Sequence, residues 1–161
     1  MEEKFESTNI HLDWLNNIYS QLKMLQDFER IAREGCHDLM EYLQIPFEYQ
    51  RVVMPDAQYK NMRFFAMELD ILISNLSSAF KEEKTKGEKV KEYKKRLEPI
   101  LKNIDNRHLF LREKKMNNQL IEIQVLPFLN TTIRFLISIK SDIILDIGHI
   151  LYLPEEVKKT W

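Results

Sequence analysis

Residues 127–153 read PFLNTTIRFLISIKSDIILDIGHILYL, the most apolar long segment of the chain. From Leu126 the apolar residues recur as Leu129, Ile133, Leu136, Ile143, Ile144, Ile147, Ile150 and Leu151. These are helical steps of three and four, not the alternation of a strand. At about 100° per residue they cover one broad face, so this helix is expected to lie against several others at once. Arg134, Lys140, Asp142, Asp146 and His149 interrupt it too often for a membrane span. The stretch therefore reads as the central helix of a soluble all-α domain.

Outward from it, the same spacing repeats. Leu15, Ile18, Leu22, Leu25, Phe28, Ala32, Gly35, Leu39 and Leu43 make one stripe, which predicts a long helix over about 9–44. Ser7, Thr8 and Asn9 offer N-cap oxygens for it. Gly35 marks a point of bending or breakage, and Pro46 ends it by pushing Ile45 away from helical ψ. A second helix is expected over about 57–83, capped by Asp56. Met62, Phe65, Leu69, Leu72, Leu76 and Ala79 form its seam, widened by Phe64, Ile71 and Ile73.

Lys84 to Gly87 reads as a turn, followed by a thinner outer helix over about 88–106, kinked or broken at Pro99. A fourth helix covers 127–153. Residues 107–126 are ambiguous: Ile121, Ile123 and Val125 alternate as in a strand, but a single strand would lack a partner, so helix leading into Pro127 is favoured. The whole is an elongated, mostly antiparallel bundle of four to five helices, one domain over 1–161.

Composition excludes more than it assigns. Three glycines and no GxxxxGK or GxGxxG leave no phosphate-cradling loop. A single cysteine, Cys36, excludes an internal disulfide and a cysteine-based zinc cluster. No secretory leader is legible at the N-terminus, and the cytoplasm is the expected compartment. Residues 1–80 are acidic and 81–115 basic. The lysines of the basic run alternate with Glu82, Glu83, Glu88 and Glu92, which would repel phosphate, so nucleic acid is not the expected partner.

Three histidines follow an acid by three residues: Glu34–His37, Asp105–His108 and Asp146–His149. Carboxylate-x-x-His on facing helices is how di-metal bundle sites are assembled, because positions i and i+3 share a face. That makes a metal-binding bundle or hydrolase one alternative function. Against it, Glu34 and His37 project outward, and three such pairs on this topology cannot share one ion. Arg30 and His37 also fit the spacing Arg-x(4–6)-His. In that one motif the chain resembles the helical nuclease family named for eukaryotic and prokaryotic nucleotide-binding partners. The resemblance spans only residues 30–37 and implies, as a further alternative, an Arg–His ribonuclease.

No catalytic residue and no cofactor is expected; Cys36 reads as a structural thiol. The favoured function is a non-enzymatic protein-binding, adaptor or assembly protein. Its partner would be another protein or a second copy, met through helix two or the apolar connector 45–55 with Phe47, Tyr49 and Val53. Lys140 is the local anomaly, in the middle of the central helix's apolar face. An unpaired buried ammonium is costly. It must therefore snorkel to an edge, pair with a carboxylate, or meet a partner. Snorkelling is the simplest of these, and it predicts that Lys140→Met is neutral.

Overall fold

The computed structural model describes residues 2–46, 54–80, 84–112 and 118–150, with side-chain environments over 16–46, 56–80, 84–110 and 118–146. The described residues form an elongated, antiparallel all-α bundle. Its elements are α1 (Glu2–Gln44), α2 (Met54–Ala79), α3 (Lys84–Arg112), a short α4 (Asn118–Leu120), a π-helical turn (Ile121–Val125) and α5 (Leu126–Ile150). α2 and α5 each make substantial contact with α1, with α3 and with one another. They are the two central helices, and the apolar breadth of both sequences reflects this.

The seam of α1 runs Ile18, Leu22, Leu25, Ala32, Cys36 and Leu39, all buried. The four-three spacing places Glu29 inside that seam, between Leu25 and Ala32. On α2 the buried set is Tyr59, Met62, Phe65, Ala66, Leu69, Leu72, Ile73 and Leu76. On α5 it is Leu126, Leu129, Ile133, Leu136, Ile139 and Ile143, with Lys140 among them. Burying one such aliphatic side chain contributes about 1.5–3 kcal/mol, so these seams hold the bundle together.

Several sequence-based boundaries move. α1 is helical from Glu2, so Ser7, Thr8 and Asn9 lie within it rather than capping it. It passes Gly35 without a break and ends at Gln44, one residue before Ile45, whose N–H closes on Tyr42 O at 3.2 Å. α2 begins at Met54; Pro55 sits in its first turn, where a missing N–H costs nothing, and Asp56 is helical rather than the cap. Lys84 to Gly87, read as a turn, are the first turn of α3. Pro99 does not break α3, which runs on to Arg112 and takes in the first part of the ambiguous region.

Further on, the apparent alternation at 121–125 is the π turn, not a strand. Leu126 N–H bonds to Ile121 O, five residues back. Pro127 explains it: with no N–H it cannot bond Ile123 O, and its ring would crowd that carbonyl. Widening one turn relieves the crowding and lets Val125 and Leu126, adjacent in sequence, both face the core. Ile123, the middle of the apparent alternation, is 61% exposed. By length and composition the helical run Asn118–Asp146 would suffice to cross a membrane, although here its inner face packs on α1, α2 and α3.

Gly35 has a packing reason. A Cβ there would stand 1.8 Å from Gln58 Oε1. Gln58 lies buried against α1, its Nε2 donating to Ala32 O at 3.5 Å, while Asn61 Nδ2 donates to its Oε1 at 2.8 Å. Gly35→Ala gains about 1 kcal/mol of helix propensity. It must also expel Gln58 from these partners, an overpacking cost of about 1–3 kcal/mol that leaves a polar group to re-satisfy. The expected result is a lower urea midpoint for Gly35→Ala than for wild type, and a higher one would show that Gln58 moves freely.

Candidate interaction surface

Neither of the two acid-x-x-His pairs whose side chains are both described, Glu34–His37 and Asp105–His108, forms a joint site. His37 Nε2 faces Glu41 at 3.3 Å on the outside of α1, with both side chains about two-thirds exposed, and Glu34 is exposed. Asp105 is taken by Arg63 of α2 at 2.9 Å. His108 turns to Asp56 at the start of α2, Nε2–H donating to Oδ1 at 2.6 Å. Asp146 accepts from Lys89 Nζ at 3.2 Å and from the hydroxyl of Tyr93. The side chain of His149 lies outside the described residues, as do Phe47, Tyr49, Val53 and the chain beyond Ile150. Among the described residues no group of three His, Cys, Asp or Glu side chains is placed to hold a metal.

The Arg30–His37 spacing fares no better as chemistry. Arg30 reaches Asp27 at 3.6 Å and His37 reaches Glu41, both on open surface. Burial pushes the Cys36 thiol up, with a hydrogen bond from Gln58 opposing it, so the sulfur stays a thiol packed in the α1 seam.

The structure adds a cluster that the sequence reading missed. His108 stacks on Tyr59 with ring centroids 5.1 Å apart and planes 5° from parallel, and Tyr59 in turn stacks on Phe128 at 6.0 Å. Burial raises the Tyr59 phenol to about 12, and its hydroxyl has no hydrogen-bond partner among the described residues. The His108 imidazole holds the Asp56 carboxyl below its usual value; a further contribution comes from Lys60 at 3.3 Å. The cluster ties the ends of α3 and α5 to the start of α2.

A carboxyl lowered in the folded state contributes stability that is complete above the unfolded value, near 3.9, and is lost as pH falls through the folded value. Asp56→Asn is therefore expected to flatten the dependence of stability on pH below about 4. Denaturant midpoints taken across that range check it, and parallel profiles would mean that Asp56 carries no linkage.

Lys140 does not snorkel. It is 7% exposed, and its Nζ stands 2.6 Å from Oε1 of Glu29, whose side chain is 14% exposed. That oxygen has no hydrogen-bonding partner of good geometry among the described residues, so the ammonium is what compensates it. Glu29 was findable: it occupies the seam of α1 as Lys140 occupies the seam of α5, two opposite charges at matching anomalies. Two basic residues of α3, Lys89 and Arg96, reach acids of α5. Arg96 reaches Asp142 at 2.7 Å and Ser138 at 3.3 Å. Such part-exposed pairs contribute at most about 1 kcal/mol each and set alignment more than stability.

What remains without a structural use is apolar surface. Met24 and Ile31 of α1, and Phe64, Met67 and Ile71 of α2, are 37–54% exposed. On each helix they recur at steps of three, four or seven and so share a face. Three contacts fix the antiparallel register between the two: Gln21 with Asn75 at 2.8 Å, Phe28 with Phe64 at 6.2 Å, and Gln58 with Ala32. This register puts Met24 at about the level of Met67 and Ile71 along the hairpin, and half-buried Phe28 meets Phe64. Glu29, which meets α5, is on the other flank of α1. The result is one apolar face on the outside of the α1–α2 hairpin, away from the core.

No protein-family model matches this chain, and neither a curated protein nor a solved structure resembles it.

Proposed function

We propose that the chain is a non-enzymatic assembly protein that associates with a second copy of itself through the outward face of α1 and α2. The observation that carries this reading is the exposed set Met24, Ile31, Phe64, Met67 and Ile71, with half-buried Phe28 against Phe64. From the fractional exposures, these side chains leave roughly 400–500 Å² of apolar area open, near the upper end for a monomer. With its polar border such a face approaches the ~800 Å² per partner of an ordinary stable interface.

The border favours a like partner. Lys23 and Arg30 stand with Asp27 and Glu34 on α1, and Lys60 and Arg63 with Glu68 and Asp70 on α2. A mixed border on a chain of net charge −1 meets its own copy without single-sign repulsion. The two described histidines, His37 and His108, lie apart, each against a single acid, which does not favour the metal-binding or ribonuclease alternatives over this one.

Sedimentation equilibrium tests the proposal. Wild-type protein is expected to associate reversibly with a micromolar Kd, and Phe64→Glu with Ile71→Glu is expected to be monomeric with unchanged helical circular dichroism. A wild-type chain still monomeric at about 1 mM, where even roughly 4 kcal/mol of association would show, overturns it.

A further inference from the structure

α3 and α5 part along their outer side to leave a cleft of about 750 Å³. The size suits an organic molecule rather than an ion, since ligand pockets run to roughly 300–1,000 Å³. Its walls are aromatic: Phe110, Phe128 and Phe135 line it, together with Pro99 and Ile100. Phe110 and Phe135 are about half exposed, which a core position would not leave them. Phe128 is backed by the buried ring of Tyr59, so that wall is held in place.

The polar groups of the cleft have one sign. Among the described residues Arg107 is the only ionisable side chain that lines it, and its guanidinium lies 5.4 Å from the Phe128 ring centroid. Asn103 and Asn106, one helical turn apart on α3, and Thr131 and Thr132 of α5 supply neutral hydrogen-bonding groups. On the same two helices Asp105 is held by Arg63 and Asp142 by Arg96. A cleft with aromatic walls and one guanidinium selects a flat apolar body carrying a single negative charge.

We propose that this cleft is a binding site for a monoanionic aromatic compound, an aryl carboxylate or sulfonate. Its ring would lie among Phe110, Phe128 and Phe135, and its anion would sit on Arg107 with Asn106. The site is on the opposite side of the bundle's packing from the α1–α2 face, and it stands or falls separately from self-association.

The test is titration of the full chain with 8-anilinonaphthalene-1-sulfonate, followed by amide chemical shifts and by fluorescence. Shifts are expected to centre on residues 103–110 and 128–135. Arg107→Gln should raise Kd at least about tenfold, since an ionic hydrogen bond is removed. Phe135→Ala should weaken the same binding, and both positions are exposed, so the fold is expected to survive, as circular dichroism will verify. The uncharged analogue N-phenyl-1-naphthylamine should bind wild type no better than it binds Arg107→Gln. Shifts centred on Phe64 and Ile71, equal affinity of wild type and Arg107→Gln, or no saturable binding at all would each overturn the proposal.

Discussion

Lys140→Met is expected to cost about 3–5 kcal/mol in chemical denaturation. The sequence alone favours the opposite, because a lysine stem on an apolar face normally carries its charge to the edge. The structure removes that escape: Lys140 is 7% exposed and meets Glu29 at 2.6 Å. Methionine fills the stem's volume but strands the Glu29 carboxylate, whose Oε1 has no hydrogen-bonding partner among the described residues. The double variant Glu29→Leu/Lys140→Met separates this account from simple loss of packing. Removing both charges together should recover most of the loss, since well-packed apolar replacements of buried ion pairs are often neutral or stabilising. A single variant as stable as wild type, or a double variant as weak as the single one, contradicts the assignment.

Leu72→Ala carries the second large effect, an expected loss of about 2–5 kcal/mol. Leu72 is fully buried on α2, the helix that packs on α1, α3 and α5. Its neighbours in the seam, Leu69, Ile73 and Leu76, are held by three surrounding helices and cannot close the space left behind, so the cavity persists. Urea denaturation measures it. A loss under about 1 kcal/mol would mean that the α2 seam is not the centre of the core.

Much of the architecture is legible in spacing. The seams of α2 and α5 can be read directly, because Leu69 and Leu76 on α2 and Ile133 on α5 have polar neighbours on both sides and so fix the phase for Leu72, Leu129 and Leu136 between or beside them. α1 is harder. The three-four stripe read from the sequence runs through Phe28 rather than Glu29 and Gly35 rather than Cys36, yet Glu29 and Cys36 lie in the seam while Phe28 lies at its edge against Phe64. Only a cation on another helix makes Glu29 tolerable there, and a one-helix pattern carries no record of it.

Capping and turn signals misled for a related reason. Ser7, Thr8, Asn9, Gly87 and Pro99 each weaken a helix by at most a few kcal/mol, and bundle packing exceeds that. The interaction face was half visible. Phe64 and Ile71 are recognisable as surplus to the seam, but the sequence cannot say whether a surplus apolar residue meets another helix of the same chain or faces outward. The α3–α5 cleft left no sequence signal, since its three phenylalanines come from two helices and read as ordinary core.

The π turn before Pro127 acts as a phase shifter within one continuous rod. An α-helix advances about 100° per residue, so one residue more or fewer turns everything on one side of the change by that angle. The widened turn at 121–125 absorbs one such residue, and this lets Ile121 and Leu129 point to the same core. Deleting one residue from 121–125 would therefore remove the residue that the widened turn absorbs, and the run could close into plain α-helix with Ile121 and Leu129 still on one face. Inserting one more residue there would instead swing Ile121 out toward water and carry the preceding Asn118–Leu120 around with it, while α5 stayed seated. Substitutions at exposed Ile123 would leave that stretch where it is.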